Sequence, residues 1–109
     1  MSKKINNPDK IVVLSANCQG LRSYEKRIDV LSHLKDTNAA IVCLQDTHLL
    51  DTDASSIKQI WPECYINGNK TNSRGTVALL NNNFEHTVLD IFKDEDGNIL
   101  QLLYQFGYF

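Results

Sequence analysis

Asn17 and Asp46 each stand where an apolar run breaks off. The first run, Ile11 to Ala16, gives way to Asn17-Cys18-Gln19-Gly20-Leu21. The second, Ile41 to Leu44, gives way to Gln45-Asp46-Thr47-His48-Leu49. A neutral amide oxygen and a carboxylate are donors that hard divalent cations accept. Magnesium is often held by one or two carboxylates, with water and substrate phosphate completing its shell. Such an ion polarises a phosphoryl oxygen and stabilises charge on a leaving oxygen. The same residues have plainer uses: Asn17 can bond its own loop backbone and Asp46 can cap a turn. His48 points to the same face as Asp46 if the chain stays extended between them. It then serves as a ligand, a phosphate contact or an exposed loop residue. Arg22, Lys26 and Arg27 flank the first stretch, and Lys70 and Arg74 lie in a polar loop. All five suit phosphate contacts, or solvated surface.

These residues need elements that bring them together. An uninterrupted apolar stretch such as Ile41 to Leu44 fits a strand buried on both faces. Lys10 to Ala16 reads as one strand and Ala39 to Gln45 as another. Between them Tyr24, Arg27, Ile28, Leu31 and Leu34 share one helical face over Tyr24 to Lys35, with Lys26, Asp29 and Ser32 opposite. Ser23 suits the helix cap, and Asp36-Thr37-Asn38 stops the helix. A strand, helix and strand within about 35 residues is compatible with a crossover and a parallel strand pair. Asn17 and Asp46 would then meet at one sheet edge, where sites are commonly built.

Further along, Asp51 to Ile60 reads as a short helix with acidic residues in its first turn. Pro62 ends it, and Trp61 covers the core. Strands follow at Glu63 to Ile66, Thr76 to Leu80, Glu85 to Phe92 and Ile99 to Tyr104. The composition of Asn67 to Gly75 marks a loop, and Asp94 to Asn98 forms a hairpin turn with Asp-Gly inside it. The reading is an α/β protein: a β-α-β unit followed by an antiparallel meander, giving a mixed β-sheet with flanking helices. Met1 to Asp9 reads as a disordered tail and 10–109 as the domain. Gln105 to Phe109 carry exposed aromatics and no terminating logic, so the chain reads as cut short.

The 109 residues are 42% hydrophobic and 22% charged, an ordinary globular balance with no apolar run long enough to span a bilayer. The amino terminus lacks a signal-peptide core, which points to the cytoplasm or nucleus. Cys18, Cys43 and Cys64 are odd in number and widely spaced, fitting neither a disulfide framework nor a zinc site. The net charge of −2 conceals an asymmetry: residues 1–35 hold seven Lys or Arg against three Asp or Glu, and 36–109 hold four against ten. A basic amino-terminal third suits an anionic partner, and solvated helix charges give the same count. No P-loop, G-x-G-x-x-G, Ser-His-Asp order or zinc helix is present.

Leu14-Ser15-Ala16-Asn17-Cys18-Gln19-Gly20-Leu21-Arg22, with Lys26-Arg27 after it, resembles the first motif of the endonuclease/exonuclease/phosphatase superfamily, Asn-x-x-Gly-Leu-Arg. Ile41-Val42-Cys43-Leu44-Gln45-Asp46-Thr47-His48-Leu49 resembles the second, Leu-Gln-Glu-Thr, and Arg74-Gly75-Thr76-Val77-Ala78-Leu79-Leu80 the third, a Gly-x-Ala strand. The likeness runs from about Lys10 to Tyr104. It is nearest in character to the endonuclease domain of LINE-type non-LTR retrotransposons, which is similar to abasic-site endonucleases.

The resemblance implies a four-layer α/β sandwich of the abasic-endonuclease, DNase-I-like type, of which this chain is the amino-terminal half. It implies magnesium- or manganese-dependent hydrolysis of DNA phosphodiesters. Asp46 stands in the place of the metal-binding glutamate, and Asn17 in that of the asparagine that orients the metal shell. Position 46 is one methylene shorter than the family's glutamate, about 1.5 Å of reach. The ion must therefore shift or a water must bridge. The family's later motifs (a tyrosine, an Asp-x-Asn pair and an Asp-His pair) lie past the end of the match, so the chain alone is expected to be inactive. The implied partners are DNA, the missing carboxy-terminal half and a reverse transcriptase in a parent polyprotein. Two alternatives stand beside this reading: a phosphatase branch of the same superfamily, and a non-catalytic truncated nucleic-acid-binding relic.

Overall fold

The computed structural model describes residues 10–68 and 74–107. The expected tail, Lys70 and the middle of the polar loop lie outside the described residues. Strand β1 (Val13–Asn17) leads through helix α1 (Tyr24–Asp36) to β2 (Ile41–Gln45). A 3-10 turn (Asp51–Asp53) runs into helix α2 (Ala54–Lys58), followed by β3 (Cys64–Asn67) and β4 (Thr76–Leu80). The hairpin strands β5 (His86–Lys93) and β6 (Leu100–Phe106) complete the order. The protein is a mixed α/β structure in which a four-stranded sheet, in the order β1-β2-β4-β3, lies beside a separate two-stranded sheet. No described helix is long and apolar enough to cross a membrane.

The β-α-β expectation is met: β1 and β2 pair in parallel, with Asn17 opposite Gln45. β1 begins three residues later than the expected strand start at Lys10, because β2 reaches alongside only from Ile41. Ser23 caps α1, its side chain accepting from Lys26 N. At the other end Thr37 Oγ1 donates to Leu34 O at 2.6 Å, and Asn38 turns left-handed at φ 56°. α1 buries Arg27, Leu31 and Leu34. The two leucines meet Ile57 of α2 and the alternating Val42, Leu44, Val77 and Leu79 of the sheet, and Trp61 closes the core. Trp61 is held there by its Nε1–H, which donates to Leu80 O at 2.9 Å. Tyr24, placed by spacing on the same face as Leu31, is instead 66% exposed. It occupies the first helical turn, beyond the reach of the sheet.

The expected meander is not what forms. β4 pairs with β2 on one edge and β3 on the other, so it has no free edge to offer β5. β5 and β6 therefore pair only with each other, with a bulge between Val88 and Asp90, and β6 lies against β4. Phe106, expected as an exposed aromatic, belongs to β6 and packs 5.9 Å from the Phe84 ring. The hairpin is tied down near His86. Its Nδ1 is 2.7 Å from Phe84 O and its Nε2 is 2.6 Å from Glu63 Oε1, so both ring nitrogens face acceptors.

Candidate active site

Main-chain hydrogen bonds lace three segments together at the carboxyl ends of β1 and β2. Cys18 N donates to Gln45 O at 2.8 Å, Gly20 N to Asp46 O at 2.8 Å and Leu21 N to Thr47 O at 2.7 Å. On the other side Thr47 N donates to Gly75 O at 3.1 Å and His48 N to Arg74 O at 2.8 Å. The stretch from 46 to 48 is therefore held between the Asn17 loop and the start of β4. Two glycines make this closeness possible. A Cβ on Gly20 would lie 2.9 Å from His48 Nδ1, and one on Gly75 would lie 2.7 Å from Thr47 Oγ1. Both glycines also have positive φ, which side-chain-bearing residues rarely adopt.

Asp46 and His48 meet, by a route other than an extended strand. Both backbones are left-handed, at φ 54° and 59°, and His48 Nε2 donates to Asp46 Oδ1 at 2.7 Å. The Asp46 side chain remains 38% exposed. Its second oxygen has no hydrogen-bond partner among the described residues. Asn17 Oδ1 accepts from Gln19 N at 3.1 Å, the loop-bonding role that its residue type allows. The site thus offers one half-engaged carboxylate and one amide on neighbouring strand ends. This donor set suits a cation that keeps water and substrate oxygens in its shell better than one needing a closed cage. No group of three or more His, Cys, Asp or Glu close enough to hold a metal occurs among the described residues.

The basic residues divide. Lys26 reaches over the Asn17 loop, its Nζ donating to Cys18 O at 2.9 Å. Arg74 is exposed and lines a cleft of about 220 Å³ together with Gln45, Asp46, Gly75, Thr76, Gly97 and Asn98. Arg22 pairs with Asp53 at 2.7 Å. Arg27 is 7% exposed and turned inward: its Nε donates to Leu21 O at 3.0 Å and its Nη1 to Ser56 Oγ at 2.8 Å. Its guanidinium fastens the Asn17 loop to the helices. Burial pushes the Cys18 thiol up; Lys26 pulls it down and Asp46 adds to the rise, so the thiol beside the site is a poor nucleophile.

Sequence reasoning missed the hairpin side of the cleft. Gly97 and Asn98 were legible only as a turn, and nothing local indicates that this turn comes back to Asp46. The arrangement as a whole is a strand-end site of an α/β structure: Asp46 and Arg74 line one cleft, His48 bonds the acid, and Lys26 lies over the neighbouring loop. No family model matches the chain. Over 39 residues it is 44% identical to an exodeoxyribonuclease of Bacillus subtilis (strain 168), a segment that takes in 36% of the chain and 16% of that protein's length. The likeness to known proteins is thus to a nuclease, over a small part of it.

Proposed function

We infer that this chain carries the metal-binding wall of a DNA phosphodiester hydrolase, as half of a four-layer sandwich of the retrotransposon-endonuclease type. The observation that carries the reading is the parallel register of β1 and β2. It sets Asn17 opposite Gln45, and so beside Asp46. The similarity of part of the chain to an exodeoxyribonuclease supports the same class of chemistry.

In this reading Asp46 holds a magnesium or manganese ion through the oxygen that His48 leaves free, and Asn17 orients the shell around it. When bound, the ion polarises the phosphoryl oxygen and offsets charge on the leaving oxygen. His48 fixes the rotamer of Asp46. Arg74 and Lys26 stand on either side, where they can meet the phosphates of a strand. Arg27 supports the loop and does not touch substrate. His48 gives Nε2 to Asp46 and sets its Nδ1 against Gly20. The reading expects the chain alone to bind cation and DNA and not to cleave.

The test combines Mn²⁺ binding with nicking of supercoiled DNA, for the natural chain and for Asp46→Ala. The reading expects Mn²⁺ binding that Asp46→Ala abolishes, salt-sensitive DNA binding and no nicking by either protein. A natural chain that binds no Mn²⁺ would sink the metal role. Nicking that vanishes in Asp46→Ala would show the site to be complete in this chain.

A further inference from the structure

Asn67 closes β3 with 4% of its surface exposed. Its side-chain nitrogen is ringed by three oxygens of the hairpin: Asp94 O at 3.1 Å, Asp94 Oδ1 at 2.8 Å and Ile99 O at 2.6 Å. Three acceptors around one atom require a donor there, which fixes the orientation of the amide. Asp94 Oδ1 also accepts from Asn98 N and Ile99 N, each at 3.0 Å. These bonds, that from Ile99 N foremost, hold the Asp94 carboxyl below its ordinary range.

The turn held in this way carries Gly97 and Asn98, which line the cleft together with Gln45 and Asp46. Gly97 O accepts from Gly75 N at 3.1 Å. The hairpin shares no ladder with the four-stranded sheet. Strand pairing therefore does not set the distance between this wall and Asp46. The His86 contact with Glu63 ties the opposite end of the hairpin; at the turn end the side chain of Asn67 acts together with the Gly75–Gly97 bond.

We propose that Asn67 is a positioning residue for the Asp46 cleft: its buried amide clasps the Asp94–Ile99 turn and so sets Gly97 and Asn98 as the second wall of the site. The proposal rests on the cleft being the place where the cation and phosphodiester are held. The clasp itself can be measured apart from that reading.

The experiment is amide hydrogen exchange on the full chain, comparing the natural protein with Asn67→Asp and Asn67→Ala. Asn67→Asp keeps the shape and replaces the donor with a carboxylate facing three oxygens. Exchange at Gly75 N–H is expected to quicken at least ten-fold in both variants, more in Asn67→Asp, while amides within the β2–β4 ladder stay as protected as before. Unchanged protection of Gly75 in a folded variant overturns the clasp. If neither variant folds, Asp94→Ala opens the same clasp from the hairpin side and carries the same expectation. Mn²⁺ broadening then connects the clasp to the site. In the natural chain it should reach Gln45, Thr47, Gly97 and Asn98; in Asn67→Asp it should persist at the first pair and leave the second. Broadening that still reaches Gly97 and Asn98 in the variant overturns the positioning role. Broadening absent from all four in the natural chain refutes the cation reading of Asp46, and Gly75 exchange then decides the clasp by itself.

Discussion

His48 Nε2 lies 2.7 Å from Asp46 Oδ1, across two left-handed residues and one fully buried threonine. The pair takes one oxygen of the carboxylate and leaves the other outward. Both side chains are more than three-tenths exposed, and ion pairs at such positions contribute only about 0–1 kcal/mol. Asp46→Ala should therefore lower stability in urea by about 1–2 kcal/mol, the small share of the pair together with the strain of alanine at φ 54°, while removing Mn²⁺ binding in calorimetric titration. His48→Ala should keep that binding, since it frees an oxygen. Loss of binding in His48→Ala as well would make the histidine a ligand.

Arg27 answers to a different measurement. Its guanidinium is buried and bonded to Leu21 O, Ser56 Oγ and Arg22 O. Arg27→Ala leaves those acceptors short of a donor and opens a cavity, a loss of about 2–4 kcal/mol in chemical denaturation. Arg27→Lys should recover little, because an ammonium cannot reproduce the planar fork. A near-neutral Arg27→Lys would show that the fork geometry is unimportant.

Gly20→Ala tests the closeness of the two loops. The new Cβ would come 2.9 Å from His48 Nδ1 on a backbone at φ 92°. Left-handed strain of about 1–2 kcal/mol is expected, and the His48 ring should move, which its ring-proton shifts would report. An unmoved ring would mean that the loop yields instead.

Tyr104 is the clearest titration. Burial first, and the Glu63 carboxylate second, push its hydroxyl up from 10.0 to about 12. Since the folded value lies above the unfolded one, its contribution to stability is whole below pH 10 and is lost as pH climbs through 12. Ultraviolet titration should show the last tyrosine to ionise missing in Tyr104→Phe, while Tyr65, which burial and Glu63 also push up, remains. Tyr104 OH has no hydrogen-bond partner among the described residues, so this variant should be neutral or slightly stabilising. A marked loss of stability would reveal a bond to that hydroxyl.

What the sequence made legible were relations set by local patterning. Two apolar runs around an amphipathic helix were enough to place Asn17 and Asp46 at one edge, since a crossover of that length favours parallel strands. Arg27 is instructive in another way. Its spacing put it with Leu31 and Leu34, which is where it packs, while its charge alone suggested phosphate. Periodicity was the better guide. The hairpin's independence was not legible, because it depends on both edges of β4 being taken by distant partners. Asn67 was hidden for the same reason: an asparagine beside a polar loop carries no local sign that three oxygens from residues 94 and 99 will surround it.

The lacing of the Asn17 loop, the 46–48 turn and the 74–75 segment uses peptide groups alone. What limits the choice of side chain there is the hand of the backbone: position 17 is extended, while 46 and 48 are left-handed, at φ 54° and 59°, and favour Asn, Asp, His or Gly. A library left open at position 17 and drawn from those residues at 46 and 48 should yield mostly folded proteins, so that new ligand sets can be sampled there without rebuilding the scaffold beneath them.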